Sequence, residues 1–224
     1  MNTVTRWWWV RHAPVVGHNG RIYGQDDFDC DCSDQETFRF LARALPRDAV
    51  WVTSHLQRTH RTAAAIFAEM ESGATEMEAG AAATPLVEQD LAEQHMGNWQ
   101  GMTNAELTAQ RDGAWHRFWL APADEAPPGG ESFTAVVDRV SATVRRLSTA
   151  HAGRDIVAVT HGGTIRAALA IALKIDPEQA LAFSVDNCAL TRLDHIAGAT
   201  GSHAPDDSDA WSVRLVNALP RTLL

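Results

Sequence analysis

Two histidines and two arginines stand where they could act together. Arg11-His12 ends an apolar run at Trp7–Val10, Arg58 lies shortly after Trp51-Val52-Thr53, and His161 ends the run Asp155–Thr160. A guanidinium offers a planar fork of donors that matches phosphate oxygens two at a time, and it stays charged at any working pH. A neutral imidazole can attack phosphorus and hold the group covalently, splitting one hard displacement into two easier ones. Neighbouring guanidinium charges favour the neutral, nucleophilic form of such a ring. Gly162-Gly163, following the second histidine, would bare backbone N–H groups for an anion at a helix start. The chemistry suggested is phosphoryl transfer, and it still needs a proton donor for the leaving alcohol. Glu93 is the candidate, in Leu91-Ala-Glu-Gln-His-Met-Gly-Asn-Trp-Gln-Gly101, and Glu131 in Gly129-Gly-Glu-Ser132 is a second. A carboxyl partly screened from water can serve first as acid and then as base.

The elements that must position these groups follow from hydrophobic spacing. Trp7–Val10, Ala49–Val52 and Asp155–Thr160 are apolar runs of strand length, and the last is the near-continuous Ile/Val/Ala run of a strand buried on both faces. Cys188–Leu193 and Trp211–Val216 read as two late strands. Phe133, Val136, Val137, Val140, Val144 and Leu147 make an amphipathic helix; Phe38, Leu41 and Leu45 make another, after a capping Ser33-Asp34. A third helix runs from about Leu56 to Met70 with Ala63, Ile66, Phe67 and Met70 inward. Ser72–Thr84, Ala121–Gly130 and Ala197–Asp209 are read as surface loops. Strand and helix alternate, which predicts an α/β domain with a largely parallel sheet, and in that architecture ligands bind beyond the carboxyl ends of the strands. Both histidines and Arg58 fall there.

Composition narrows the class. The 224 residues are 45% hydrophobic and 21% charged, with a net charge of -9, an ordinary globular balance. A duplex-binding protein usually carries the opposite sign, so nucleic acid is not expected as a partner. Lys174 is the only lysine, so no Gly-Lys pair and no Walker-type phosphate loop exists. No run is long and apolar enough to span a membrane, and Met1–Arg6 carries no export signal, so no membrane partner is expected and a cytoplasmic location is. Cys30, Cys32 and Cys188 are too few and too irregularly spaced for a disulfide framework or structural zinc, which suits a reducing compartment. Asp27-Phe-Asp29-Cys-Asp31 opens like a calcium loop, but Cys32 and Phe38 stand where glycine and glutamate are required. Asp26–Asp34 is read as a solvated acidic loop near the pocket. No metal and no cofactor is expected.

In five ordered blocks the chain resembles the histidine phosphatase superfamily, in the branch of phosphoglycerate mutases and α-ribazole phosphatases. Arg11-His12 matches the Arg-His-Gly signature, Ser54–Ala63 the block that supplies a second arginine, and Leu91–Gly101 the Glu-x-x-Phe/Tyr-Gly-x-Trp-x-Gly block. Gly130-Glu-Ser132 and Thr160-His161-Gly-Gly163 match the remaining two. The resemblance implies a three-layer α/β/α sandwich with a mostly parallel central sheet and a small cap of loops and helices. Residues 1–224 would form one domain, with cap segments at about 18–34 and 103–131. It implies further that His12 is the phosphorylated nucleophile, that Arg11, Arg58 and His161 hold the phosphoryl group of a small phosphomonoester, and that Glu93 protonates the leaving oxygen. No metal takes part in that scheme.

The chain also departs from the family pattern. Ala13 replaces a glycine, Pro14 a frequent acidic residue, and His55 a usual proline. His18, beside Asn19, stands where asparagine often contacts phosphate. Gln94 and Met96 stand where mutases carry Arg and Tyr to hold a phosphorylated acid, which favours a phosphatase. Mutase-type phosphoryl transfer and a non-catalytic phospholigand-binding module are the alternatives. Selectivity is expected from the cap. There Trp115, Phe118 and Trp119 offer aromatic surface, although their spacing fits a buried helix face better.

Overall fold

The computed structural model describes residues 3–73, 84–111, 116–198 and 210–219. The strands are β1 (Thr3–Arg11), β2 (Val50–Thr53), β3 (Leu86–Val87), β4 (Asp155–Thr160), β5 (Leu190–Ala197) and β6 (Ala210–Ala218). The helices are α1 (Gln35–Ala44), α2 (Gln57–Ser72), α3 (Asn104–Gln110), α4 (Phe133–Ala150), α5 (Gly162–Leu173) and α6 (Pro177–Ala180). The strands join in one sheet in the order β3-β2-β4-β1-β5-β6. From β3 to β1 the neighbours are parallel, while β5 and β6 close the far side antiparallel.

Helices cover both faces, and the strand alternation explains why. Trp7, Trp9, Ile156 and Ala158 point to the face packed by α4 and α5. Val10, Trp51, Val157 and Val159 point to the face packed by α1 and α2. This is the three-layer α/β arrangement the sequence implies, with its apolar strands buried on both sides. A smaller apolar cluster, Ile22 with Met96, Trp99, Leu107 and Ala121, joins three distant stretches of chain outside the sheet.

Most local signals in the sequence match the elements the chain forms. Asp34 caps α1 by accepting from Thr37 N at 3.2 Å, and Ser132 caps α4 by accepting from Ala135 N at 3.2 Å. The amphipathic stripe of α4 is buried apart from the half-buried Val137. The second strand runs Val50–Thr53, one residue later than expected. The fifth begins at Leu190, because Cys188 has φ +58 and turns the chain before the strand can start.

Two expectations are corrected. Residues 116–120 form bends, with no helix, and Phe118 is 47% exposed; Trp115 lies outside the described residues. The periodicity there is incidental, since Pro122 and the turns after it leave no room for a helix of useful length. Ala121–Gly130 is no simple surface loop either: Ala121 and Ala123 are buried, and Ala123 is tied to Thr134 N at 2.9 Å and to Glu178 Oε2 at 2.8 Å. Most of the loops expected at Ser72–Thr84 and Ala197–Asp209 lie outside the described residues.

Candidate active site

Strand register brings the two histidines together. In the parallel pair β1 and β4, Arg11 is opposite Thr160, so the next residues, His12 and His161, emerge side by side at the carboxyl ends. Their ring centroids are 5.2 Å apart. In the parallel pair β2 and β4, Thr53 is opposite Val159, which sets Ser54 beside them and starts α2 with Arg58 on its first turn. Three loops at adjacent strand ends therefore converge although they are about 50 to 150 residues apart in sequence.

The protein fixes the tautomer of each ring. His12 is fully buried, and its Nδ1 lies 2.7 Å from the carbonyl of Ala13. A carbonyl only accepts, so Nδ1 carries the proton and Nε2 keeps a bare lone pair. No protein group among the described residues bonds that Nε2, nor the buried Nε of Arg11. Leaving such atoms unpaired costs free energy, so both are open to a partner from outside the chain, a ligand or a water. His161 sits at the N-cap position of α5 but makes no side-chain capping bond. Its Nδ1 accepts from Arg58 Nε at 3.4 Å, which leaves Nε2 to donate to Ser54 Oγ at 2.8 Å.

Arg58 is fully buried, and among the described residues no carboxylate pairs with it. Its terminal nitrogens donate to the carbonyls of Gly24 at 2.7 Å and Asp26 at 2.8 Å, and its charge lies 5.2 Å from the Tyr23 ring centre. The backbone at the head of the acidic loop, with the Tyr23 ring, thus cages this guanidinium, while Asp27, Asp31 and Asp34 stay exposed as expected. Asp27 Oδ1 accepts from Gln57 N at 2.8 Å and Asp26 Oδ1 from Gln100 Nε2 at 2.6 Å. Arg11 donates from Nη1 to the Val185 carbonyl at 2.7 Å.

Glu93 reaches this cluster from the opposite loop and is 8% exposed. Its Oε1 accepts from Gly163 N and Gln94 N, each at 3.0 Å, while Oε2 is 3.4 Å from Gly163 N and freer to move a proton. The Gly163 N–H expected to greet a phosphate therefore holds the protein's own carboxylate instead. Gly163 has to be glycine, because a Cβ there would overlap Glu93 Oε1. Gly162 begins α5 between the guanidiniums of Arg11 and Arg166, where a Cβ would meet Arg166 Nη1 at 3.2 Å and Arg11 Nε at 3.5 Å.

The other expected residues have different surroundings. Glu131 takes no place among these groups: its carboxylate accepts from Arg139 Nε at 3.0 Å and Nη2 at 2.9 Å, and from His95 N at 2.9 Å. Arg139 also donates to the carbonyls of Asp90, Ala92 and Glu93, so the pair splints the loop that carries Glu93. His18 is not joined to the histidine cluster; its Nδ1 is 3.2 Å from the Arg21 carbonyl and its ring meets the edge of Tyr23.

Sequence reasoning missed Ser54, Arg139 and Arg166, and it gave the Gly163 N–H to a phosphate where the fold gives it to Glu93. Only Arg166 had a legible signal, since it lies one helical turn after Gly162 and so shares its face. It donates to the Phe183 carbonyl at 2.8 Å, its charge sits 4.7 Å from the Trp119 ring centre, and burial lowers its pKa to about 10.

Electrostatics keep both rings neutral. Burial, then the charges of Arg58 and Arg11, hold His12 well below the usual histidine value. Burial, then His12 and the same two arginines, does the same for His161. The unfolded chain protonates each near about 6.5, so below that pH it binds more protons than the folded state. Stability is therefore expected to fall on acidification from about pH 6.5, by up to about 1.4 kcal/mol per unit for each ring, until the depressed folded values are reached. Denaturant unfolding of wild type and His12→Ala between pH 7 and pH 5 checks this. The variant should show the shallower loss, and identical slopes would refute it.

Similarity to known proteins agrees with this geometry. A profile of the histidine phosphatase superfamily (branch 1) matches residues 7–205. A bifunctional protein of Mycobacterium tuberculosis is 33% identical over 178 residues, 80% of this chain and 43% of that protein, so the chain spans under half of that relative's length. A glucosyl-3-phosphoglycerate phosphatase of Mycolicibacterium vanbaalenii is 34% identical over 175 residues, covering 73% of this chain and 72% of that one. The native structure of a mycobacterial glucosyl-3-phosphoglycerate phosphatase superposes with a TM-score of 0.76 at 28% identity, covering 96% of this chain and 99% of the other. With two histidine loops side by side at the strand ends and a family profile spanning most of its length, the chain belongs to branch 1 of the histidine phosphatase superfamily.

Proposed function

We propose that the protein hydrolyses a small phosphomonoester through a phosphohistidine on His12, with guanidiniums in place of a metal. The observation that carries this reading is the buried His12 Nε2, a lone pair with no protein partner whose ring is held neutral beside two arginines. Nε2 attacks phosphorus and forms the P–N bond as the ester P–O bond breaks. Arg11 and Arg58 take the charge that gathers on the phosphoryl oxygens, and His161, its Nε2–H given to Ser54, holds Arg58 Nε in place beside them. Glu93 gives its proton to the departing alkoxide, then removes one from water, which attacks phosphorus and releases phosphate and the free imidazole.

Mutase-type transfer is the weaker reading. Gln94, where mutases carry arginine, is buried with its amide spent on Glu131 O at 2.8 Å and Trp119 Nε1 at 3.0 Å. Met96 brings no polar atom. A non-catalytic binder would have no use for a carboxyl held over the same pocket.

The test is phosphate release from p-nitrophenyl phosphate in excess chelator, with quenched samples assayed for an alkali-stable phosphoryl group on His12. Chelator-resistant release with the trapped group supports the reading; chelator-abolished release overturns it. Glu93→Gln sharpens the role of the acid. It should slow an alkyl phosphate by about 10²-fold or more and an aryl phosphate much less, because a good leaving group needs little protonation. Equal slowing of both esters would remove Glu93 from that role.

A further inference from the structure

Beside Glu93 and Arg11 opens a cavity of about 320 Å3. If the phosphoryl group lies over His12, the rest of the ester must occupy this space. Its walls are unlike those of a site for a polar metabolite. Ile22, Tyr23, Met96, Phe118, Trp119 and Leu120 supply most of them. Arg117 completes the mouth, its charge 5.6 Å from the Phe118 ring centre.

The aromatic side chains here are placed rather than loosely scattered. Trp119 is held at its indole N–H by Gln94 Oε1 at 3.0 Å, at its backbone N–H by His116 Nδ1 at 3.1 Å, and by the guanidinium of Arg166 4.7 Å from its ring centre. Tyr23 is braced by Arg58 and by the edges of His18 and Phe28. Phe118 stands 47% exposed at the mouth, beside His116 and Arg117. Locked aromatic walls around a concave, mostly apolar space are the general form of a site for a flat ring.

We propose that this cavity selects phosphomonoesters whose alcohol carries a flat, largely apolar ring, aryl or heteroaryl, and that Trp119 is the residue that reads it. The proposal rests on the phosphatase reading for the direction in which the ester lies. A polyhydroxylated sugar fits poorly. Its hydroxyls would leave water for walls that are mostly apolar away from Arg11, Glu93 and Arg117, and each unpaired hydroxyl costs binding. The same walls disfavour a small phosphorylated acid, since the position that holds such acids in mutases is given to Gln94, whose polar atoms are used inside the protein.

The test compares three esters that leave as primary alkoxides, so that leaving-group quality is matched: 2-phenylethyl phosphate, propyl phosphate and glucose 6-phosphate. In wild type, kcat/KM for the phenylethyl ester should exceed that of both others by at least about tenfold, the worth of burying one ring. Trp119→Ala should bring that ratio below about threefold, chiefly through KM, while Trp119→Phe retains most of it. Turnover of all three esters with no ring preference, or a preference untouched by Trp119→Ala, overturns the proposal and leaves the phosphatase reading intact. If wild type hydrolyses none of them, calorimetric binding of the same esters decides. Tighter binding of the phenylethyl ester, lost in Trp119→Ala, sustains the ring site without the hydrolytic reading, and equal binding of the three ends both.

Discussion

His12→Ala is expected to lower phosphate release by at least about 10⁴-fold while the protein remains folded, because the nucleophile is removed and nothing nearby can replace it. His161 cannot take over: its Nδ1 faces Arg58 Nε and its Nε2 faces Ser54, so neither nitrogen is presented to a phosphoryl group as a bare lone pair. The fold should tolerate the change. His12 follows a strand, its side chain makes a single hydrogen bond to Ala13, and its Nε2 is a buried polar atom without a protein partner. Removing such an atom relieves a desolvation cost that offsets the cavity left behind. The variant should melt within about 5 °C of wild type and still bind vanadate, since Arg11 and Arg58 remain. Residual turnover above about 1% of wild type would displace His12 from the centre of the mechanism.

Gly163→Ala is the second large effect and the less obvious one. Within a helix the exchange should be favourable by about 1 kcal/mol, because alanine loses less backbone freedom than glycine. Here the added Cβ falls on Glu93 Oε1, and the contact cannot relax cheaply. The same carboxyl is held by Gln94 N at 3.0 Å, and the loop behind it is pinned by Arg139. The carboxyl must swing away from α5, and kcat for an alkyl phosphate is expected to fall by about 10²-fold, with aryl phosphates much less affected. A double-mutant cycle isolates the cause. In a Glu93→Gln background, Gly163→Ala should cost little more, because the group it displaces no longer carries a proton. Additive losses would mean that Gly163 acts on something other than Glu93.

The chemical elements of the site were legible because each is written in a short stretch of chain. Arg11-His12, Arg58, Glu93 and His161 each sit beside a strand run or a helix start, and period-two and helical spacing identify those elements locally. The same short range explains where the reading failed. Trp115, Phe118 and Trp119 have helical spacing, yet Phe118 lines a cavity from an irregular segment. Glu131 precedes a helix as a dipole-paired charge would, yet it bridges Arg139 and the backbone of His95. Gly97 and Gly130 belong to separate sequence blocks, Leu91–Gly101 and Gly130–Ser132. In the fold they let two backbones interlock, with Asn98 N on Pro128 O at 2.8 Å and Glu131 N on His95 O at 3.0 Å, at an approach that no Cβ would allow.

The sequence by itself determined the α/β class, the strand ends that gather two histidines and two arginines, and the kind of chemistry such residue types are suited to, because residue type and spacing along one element decide these. Tertiary structure alone decided which nitrogen of His12 is bare, that Glu93 rests on Gly163, that Arg139 splints its loop, and that aromatic side chains line the cavity beside Glu93 and Arg11. Each of those facts depends on register between strands or contact between loops tens of residues apart, where the deciding quantity is a distance across space.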